Sequence, residues 1–235
     1  YEILIGLVGS EMCIRDSHEI VSAYAPLGQG TRYFFRGVSD ADFKLIPSLG
    51  RLDICDNYYY SEKNIFQMFK CQAVQFIDKV PSNDWEWLAL AQHSGLPTRL
   101  MDWTTNPLIA LYFASQFLPT ESDDFAVYIL TKKTGVIFPD PLISPFDYEG
   151  NNILAIPHVS PKMKNQFGYF SIQEKINVPF DTLPNTGRIR KLTFSSNLKE
   201  EMQSTLLGYG INEATVYPTI EGLAGYLCQL LKLRK

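Results

Sequence analysis

The sequence predicts an α+β fold: a single domain with a mostly antiparallel sheet and helices concentrated in the N-terminal half. Three observations carry this. Helical periodicity clusters before residue 120, whereas β-branched and aromatic runs dominate after residue 124. Strands and helices do not alternate as βαβ units, which disfavours a doubly wound parallel sheet. Finally, 235 residues, 46% hydrophobic and 20% charged, suffice for one large core.

Taken in order, the chain opens on a stretch that stands apart. The run VGSEMCIRDS resembles a translated sequencing adapter, so residues 1–17 are expected to be extraneous or disordered and the domain to span 18–235. A short helix is expected over 19–26. RYFFRGV then reads as an aromatic strand, and SDADF as a turn. Residues 59–80 place Ile65, Met68, Phe69, Ala73, Phe76 and Ile77 at helical spacing. Asn83 or Asp84 caps a helix DWEWLALAQHS, and Gly95 stops it in a left-handed turn. TRLMDW reads as a short strand. Thr105 or Asn106 caps the helix PLIALYFASQFL over 107–118, with Pro107 at its first position. That helix is apolar almost all round and should be buried; Ala110 and Ala114, one turn apart, allow close backbone approach. The second half gives strands FAVYILT, GVIFP, NILAIP, GYFSIQE and RIRKLTF. PKMKNQ is a short helix, LKEEMQSTLLGYGI an amphipathic one, ATVYP a strand and EGLAGYLCQLLKLRK a terminal helix.

Composition narrows the function. A net charge of −4 disfavours broad binding to nucleic acid. Aromatic residues at 13% can line a pocket for a flat ligand. Cys13, Cys55, Cys71 and Cys228 form no CxxC pair, and His18, His93 and His158 are scattered, so no metal is expected. Free thiols fit a reducing, cytoplasmic setting. No stretch approaches the ~18 apolar residues that a membrane span needs.

The densest chemistry lies in QHSGLPTRLMDWTTNP, beside the most apolar helix. If TRLMDW is a strand, Thr98, Leu100 and Asp102 share one face, and Arg99, Met101 and Trp103 the other. Arg99 and Asp102 then cannot pair with each other, and each needs another partner or a ligand. Arg36, near the end of RYFFRGV, is the long-range candidate for Asp102. A buried Arg36–Asp102 pair that fixes packing is the alternative to a site. His93 sits in the last helical turn, where the dipole favours imidazolium. Gln92, Thr98, Thr104 and Thr105 add hydrogen-bonding groups. A polar cluster against an apolar wall is the default form of a ligand pocket.

The wording and order of YFFRGVSDADFKLIPSLGR, WEWLALAQHSGLPTRLMDWTTNPLIALYFA, SPKMKNQFGYFSI and GINEATVYPTIEGLA resemble the FRG domain family, over roughly residues 31–228. Lys162 stands where the family commonly has Arg, and Met101 where Leu is usual. The resemblance implies the fold unit and a bacterial or phage-associated intracellular protein; it implies no settled activity. The order of parts also resembles the ADP-ribosyltransferase fold. On that likeness Arg36 would bind the phosphate or ribose of NAD, and Thr98, Thr104 or Thr105 would help to hold the ribose. Trp103 or Tyr33 would stack on nicotinamide, with Gln92 and Arg99 also binding the ligand. Arg36, His93, Asp102 and Gln166 would be the catalytic candidates, with Gln166 in the late-strand position. A glutamine cannot serve as a general base, and neither Glu174 nor Glu213 is an obvious substitute. The expectation is a nucleotide or NAD-like ligand, with ADP-ribosyl transfer or NAD hydrolysis as the chemistry. The alternative is a non-catalytic sensor or interaction module in a defence or stress pathway, with a protein partner.

Overall fold

The computed structural model describes residues 31–53, 60–116, 124–133, 135–157 and 168–232. Residues 1–17, the expected helix at 19–26, PKMKNQ, His158 and Gln166 lie outside them. Six strands form one antiparallel sheet: β1 (Arg32–Val38), β2 (Met101–Thr104), β3 (Phe125–Lys132), β4 (Asn152–Leu154), β5 (Gly168–Ile172) and β6 (Arg188–Phe194), in the order β4-β5-β2-β1-β3-β6. The helices among the described residues are α1 (Glu62–Ala73), α2 (Asp84–His93), α3 (Pro107–Ala114), α4 (Lys199–Gly208), α5 (Glu213–Val216) and α6 (Ile220–Lys232). The class is α+β.

One face of the sheet carries helices. Phe35, Val127 and Ile129 pack on Ala110, Leu111 and Ala114 of α3, with Met202 and Leu206 of α4 behind them. Further along, Leu100, Leu154 and Phe170 meet Phe66 of α1 and Trp85 and Leu88 of α2. The other face buries Phe34, Val38, Met101, Trp103 and Leu130 beneath Leu45 and Phe180, which come from connecting segments. The alternation of side chains along β1 thus feeds two cores at once.

Local signals set the helix ends. Asn83 accepts from the backbone N–H groups of Trp85 and Glu86 and starts α2, and Gly95 follows it at φ 93°. The Thr104 hydroxyl accepts from the Asn106 N–H at 3.1 Å, and the Asn106 side chain accepts from the Leu108 N–H at 2.9 Å, so α3 begins directly off β2. Asn106→Ala is expected to cost about 1 kcal/mol, the usual worth of such a cap, read as a lower urea midpoint with an unchanged slope.

Several expected elements differ. The 59–80 helix is shorter: Ser61 caps it, it ends at Ala73, and a 3-10 turn follows over Val74–Phe76. That turn breaks the helical phase, so Phe76 is 79% exposed, and Phe66 with Ala73 makes the buried face instead of Met68. ATVYP is not a strand; Asn212 and Thr215 form a capping box that folds Glu213–Val216 into a helical turn. GVIFP contributes only a bridge, Ile137 to Leu154. TRLMDW enters the sheet at Met101, which leaves Thr98 and Arg99 ahead of the strand. No described helix is long and apolar enough to cross a membrane.

Candidate functional site

The pairing of β1 is uneven. All seven of its residues register with β3, but only Phe35 registers with β2, opposite Thr104. Arg36 spans the opening that this leaves, and its Nη1 donates to the backbone carbonyl of Asp102 at 2.6 Å. The expected Arg36–Asp102 contact therefore exists, but it runs to the main chain rather than to the carboxylate. A guanidinium has five N–H donors. Among the described residues Arg36 uses one of them and has no carboxylate in ion-pairing range. Burial pushes its pKa below the ordinary value; the Asp102 charge opposes this and the Arg51 guanidinium adds to it.

Arg36 lies on the wall of a cavity of about 390 Å³. Lys44, Arg51 and His93 bring further basic groups to that wall, and Asp102 is its one carboxylate among the described residues. Apolar surface comes from Ala110 and Phe113 of α3, Phe170 of β5 and Phe43. The Arg51 guanidinium lies over the Phe43 ring at 6.0 Å and makes no side-chain hydrogen bond among the described residues. Tyr217, just after α5, closes one side, with its ring edge-on to Phe113 at 6.2 Å. Burial pushes the Tyr217 phenol up, and the nearby Glu213 and Asp102 carboxylates add to this, so it stays a protonated hydroxyl at neutral pH. Tyr112, one residue before Phe113, is raised by burial and by Glu213 in the same way.

The site residues expected from the sequence divide. Arg36, Gln92, His93, Asp102, Trp103 and Thr104 all line this cavity, although they come from β1, α2 and β2. Trp103 is a core residue at its base, 2% exposed, and its indole N–H donates to the Ser171 hydroxyl at 2.9 Å. Tyr33, Thr98, Arg99 and Thr105 are not on its wall. Tyr33 packs against the α3 side of the core. Thr98 is buried behind the cavity, on the wall of a second, apolar hollow of about 360 Å³. Arg99 corrects the expected rim most clearly. Its Nε and Nη2 donate to the two oxygens of Glu62 at 2.9 and 2.5 Å, its Nη1 reaches the Pro145 carbonyl at 3.3 Å, and its guanidinium covers the Phe146 ring at 5.1 Å. With its charge paired to α1, it lies off the cavity wall. Gln166 lies outside the described residues. Glu174 is exposed beyond β5, and Glu213 sits in α5 off the cavity wall.

Lys44, Arg51, Phe43, Phe113 and Tyr217 were not singled out in the sequence. The signal for the first three was available: FKLIPSLGR places two cations and an aromatic within sixteen residues of Arg36. Phe113 and Tyr217 carried no such mark, because each reads as an ordinary core aromatic. Among the described residues, no group of three or more His, Cys, Asp or Glu could hold a metal ion.

The family model described as FRG domain matches residues 31–123. That stretch runs from β1 past α3 and supplies Arg36, Lys44, Arg51, Gln92, His93 and Asp102, whereas Phe170 and Tyr217 lie outside it. No curated protein and no solved structure matches the chain.

Proposed function

We propose that this chain, which carries an FRG domain over residues 31–123, engages a nucleotide or NAD-like ligand in the Arg36 cavity. The observation that carries this reading is an excess of positive charge on a concave wall, where Asp102 is the one carboxylate among the described residues. Arg36 and Arg51 lie close enough to repel each other, Lys44 is on the same wall, and neither guanidinium makes a carboxylate contact among the described residues. Holding like charges together in a partly buried place is unfavourable unless an anion joins them. A phosphate or diphosphate suits two guanidiniums because it accepts bidentate bonds. Phe43, Phe113 and Tyr217 offer ring faces and edges to a base. At about 390 Å³ the volume sits toward the small end of the usual range for ligand pockets, roughly 300–1,000 Å³, and suits one nucleotide half at a time.

With NAD as ligand, the supported chemistry is loss of nicotinamide. The glycosidic C–N bond breaks, its electron pair leaves with nicotinamide, and the oxocarbenium-like sugar is captured by water or by an acceptor. The Asp102 carboxylate would stabilise the developing positive charge. Incubation of the purified protein with NAD should release free nicotinamide, and Asp102→Asn should abolish that release. Arg36→Ala should weaken binding about 10- to 100-fold, the ordinary worth of a charge-assisted hydrogen bond, without lowering the melting temperature. If Arg36→Ala binds NAD, ADP-ribose and ADP as well as the wild type does, the cavity is not a nucleotide site.

One observation favours binding without turnover. The cavity's single described carboxylate already gives one oxygen to Gln92. In that reading the protein is a sensor, and thermal stabilisation by nucleotide appears with no nicotinamide released.

A further inference from the structure

Asp102 is held by a chain of hydrogen bonds that runs from Leu100 through Thr98 and Gln92. The Leu100 backbone N–H donates to Thr98 Oγ1 at 3.2 Å. The Thr98 hydroxyl, which thus already accepts one bond, gives its own proton to Gln92 Oε1. The Gln92 amide therefore lies with its carbonyl toward Thr98 and its NH2 toward Asp102. That NH2 donates to Asp102 Oδ2 at 2.9 Å. Oδ2 is thereby held as an acceptor, which fixes the carboxylate in one orientation. Thr98 is buried with its hydroxyl engaged by Leu100 and Gln92, and Gln92 commits its carbonyl and one of its two N–H groups, so both residues act mainly on Asp102. What they leave available is Asp102 Oδ1, which makes no hydrogen bond among the described residues, on the same wall as Arg36.

Resting on the reading of the cavity as an anion site, we infer that Thr98 and Gln92 are positioning residues for Asp102, and that the ligand is a sugar phosphate or contains one. Its anion meets Arg36, Arg51 and Lys44, and a hydroxyl close to that anion donates to Asp102 Oδ1. The adjacency is built into the fold, because the residue whose carboxylate accepts the hydroxyl is the residue whose carbonyl anchors Arg36. A charged amine in place of the hydroxyl is disfavoured by the three cations around it. Pairing an anion clamp with an oriented acceptor selects a hydroxyl-bearing ligand over its deoxy analogue, since that analogue leaves the carboxylate without a donor.

The test uses three probes in NMR titrations: inorganic phosphate, ribose 5-phosphate and 1,2,3-trideoxyribose 5-phosphate, which keeps the ring and the phosphate but lacks the ring hydroxyls. The wild type should bind ribose 5-phosphate at least tenfold more tightly than the trideoxy analogue. Thr98→Val keeps the shape of the side chain but cannot donate to Gln92; it should bring that ratio close to one while leaving the phosphate affinity unchanged. Thr98→Ser should restore the ratio, which a purely structural role for the residue would not require. Gln92→Ala and Asp102→Asn should also lose the ratio. Equal binding of the two sugar phosphates by the wild type overturns the inference and leaves the anion site standing. A ratio that survives Thr98→Val overturns the positioning role. If none of the three probes binds, the nucleotide reading and this one fall together.

Discussion

Gly37→Ala is expected to destabilise the fold by about 3 kcal/mol or more, at or above the top of the usual range for overpacking. A Cβ at position 37 would lie 1.9 Å from the carbonyl oxygen of Ala110 and 2.7 Å from the backbone nitrogen of Ala114. These are main-chain atoms of α3, so relief requires the helix to move rather than a side chain to turn. The close approach is shared: β1 has no side chain at Gly37, and α3 has only methyl groups at Ala110 and Ala114. Moving α3 outward would also displace Ala110 and Phe113 from the cavity wall, so nucleotide affinity should fall along with stability. Gly208→Ala is the control. A Cβ there meets nothing within 4 Å, and the residue closes α4, so the change should be neutral or slightly stabilising. Urea denaturation of the two variants should separate them widely. Similar midpoints would mean that the β1–α3 contact is looser than described.

Glu62→Ala is expected to cost about 3 kcal/mol, although Glu62 lies in the first turn of an outer helix. The Arg99–Glu62 pair is bidentate, and its side chains keep only 14% and 17% of their exposure. Removing the carboxylate leaves a largely desolvated guanidinium facing Phe146 and one carbonyl, and breaking a buried pair from one side typically costs about 3–5 kcal/mol. The residual exposure places this pair at the lower end. Glu62→Ala combined with Arg99→Met should recover much of the loss, because the stranded charge is then gone. A double-mutant cycle by chemical denaturation measures the coupling. Nucleotide binding should be little changed in the double variant, since Arg99 lies off the cavity wall. A selective loss of binding in a stable Arg99→Met protein would return Arg99 to the site.

How far the sequence could be read followed the range of the forces involved. Asn83, Gly95, Asn106 and Pro107 act within a turn of their own position, so the start and stop of α2 and the start of α3 were legible. The length of α1 was not, because Phe76 and Ile77 continue a helical pattern that the 3-10 turn abandons. ATVYP has strand propensity, but the four-residue capping box at Asn212 overrides it. On the cavity wall, Arg36, Gln92, His93, Asp102 and Thr104 were legible as a group because polar groups beside an apolar helix need an explanation. Arg99 met the same criterion and misled, since its explanation was a carboxylate thirty-seven residues earlier.

The amino-acid order by itself determined the class of fold, the caps, and which short stretch would carry the polar groups. These follow from periodicity and from bonds between near neighbours. Tertiary structure alone decided that Arg36 would bind a carbonyl instead of a carboxylate, that Arg51 and Lys44 would stand beside it, and that Tyr217 would close the cavity. Each of those outcomes depends on strands and helices distant in sequence coming to rest within a few ångströms of one another. Charge and hydrogen-bond partners are chosen at that range, and no local pattern encodes it.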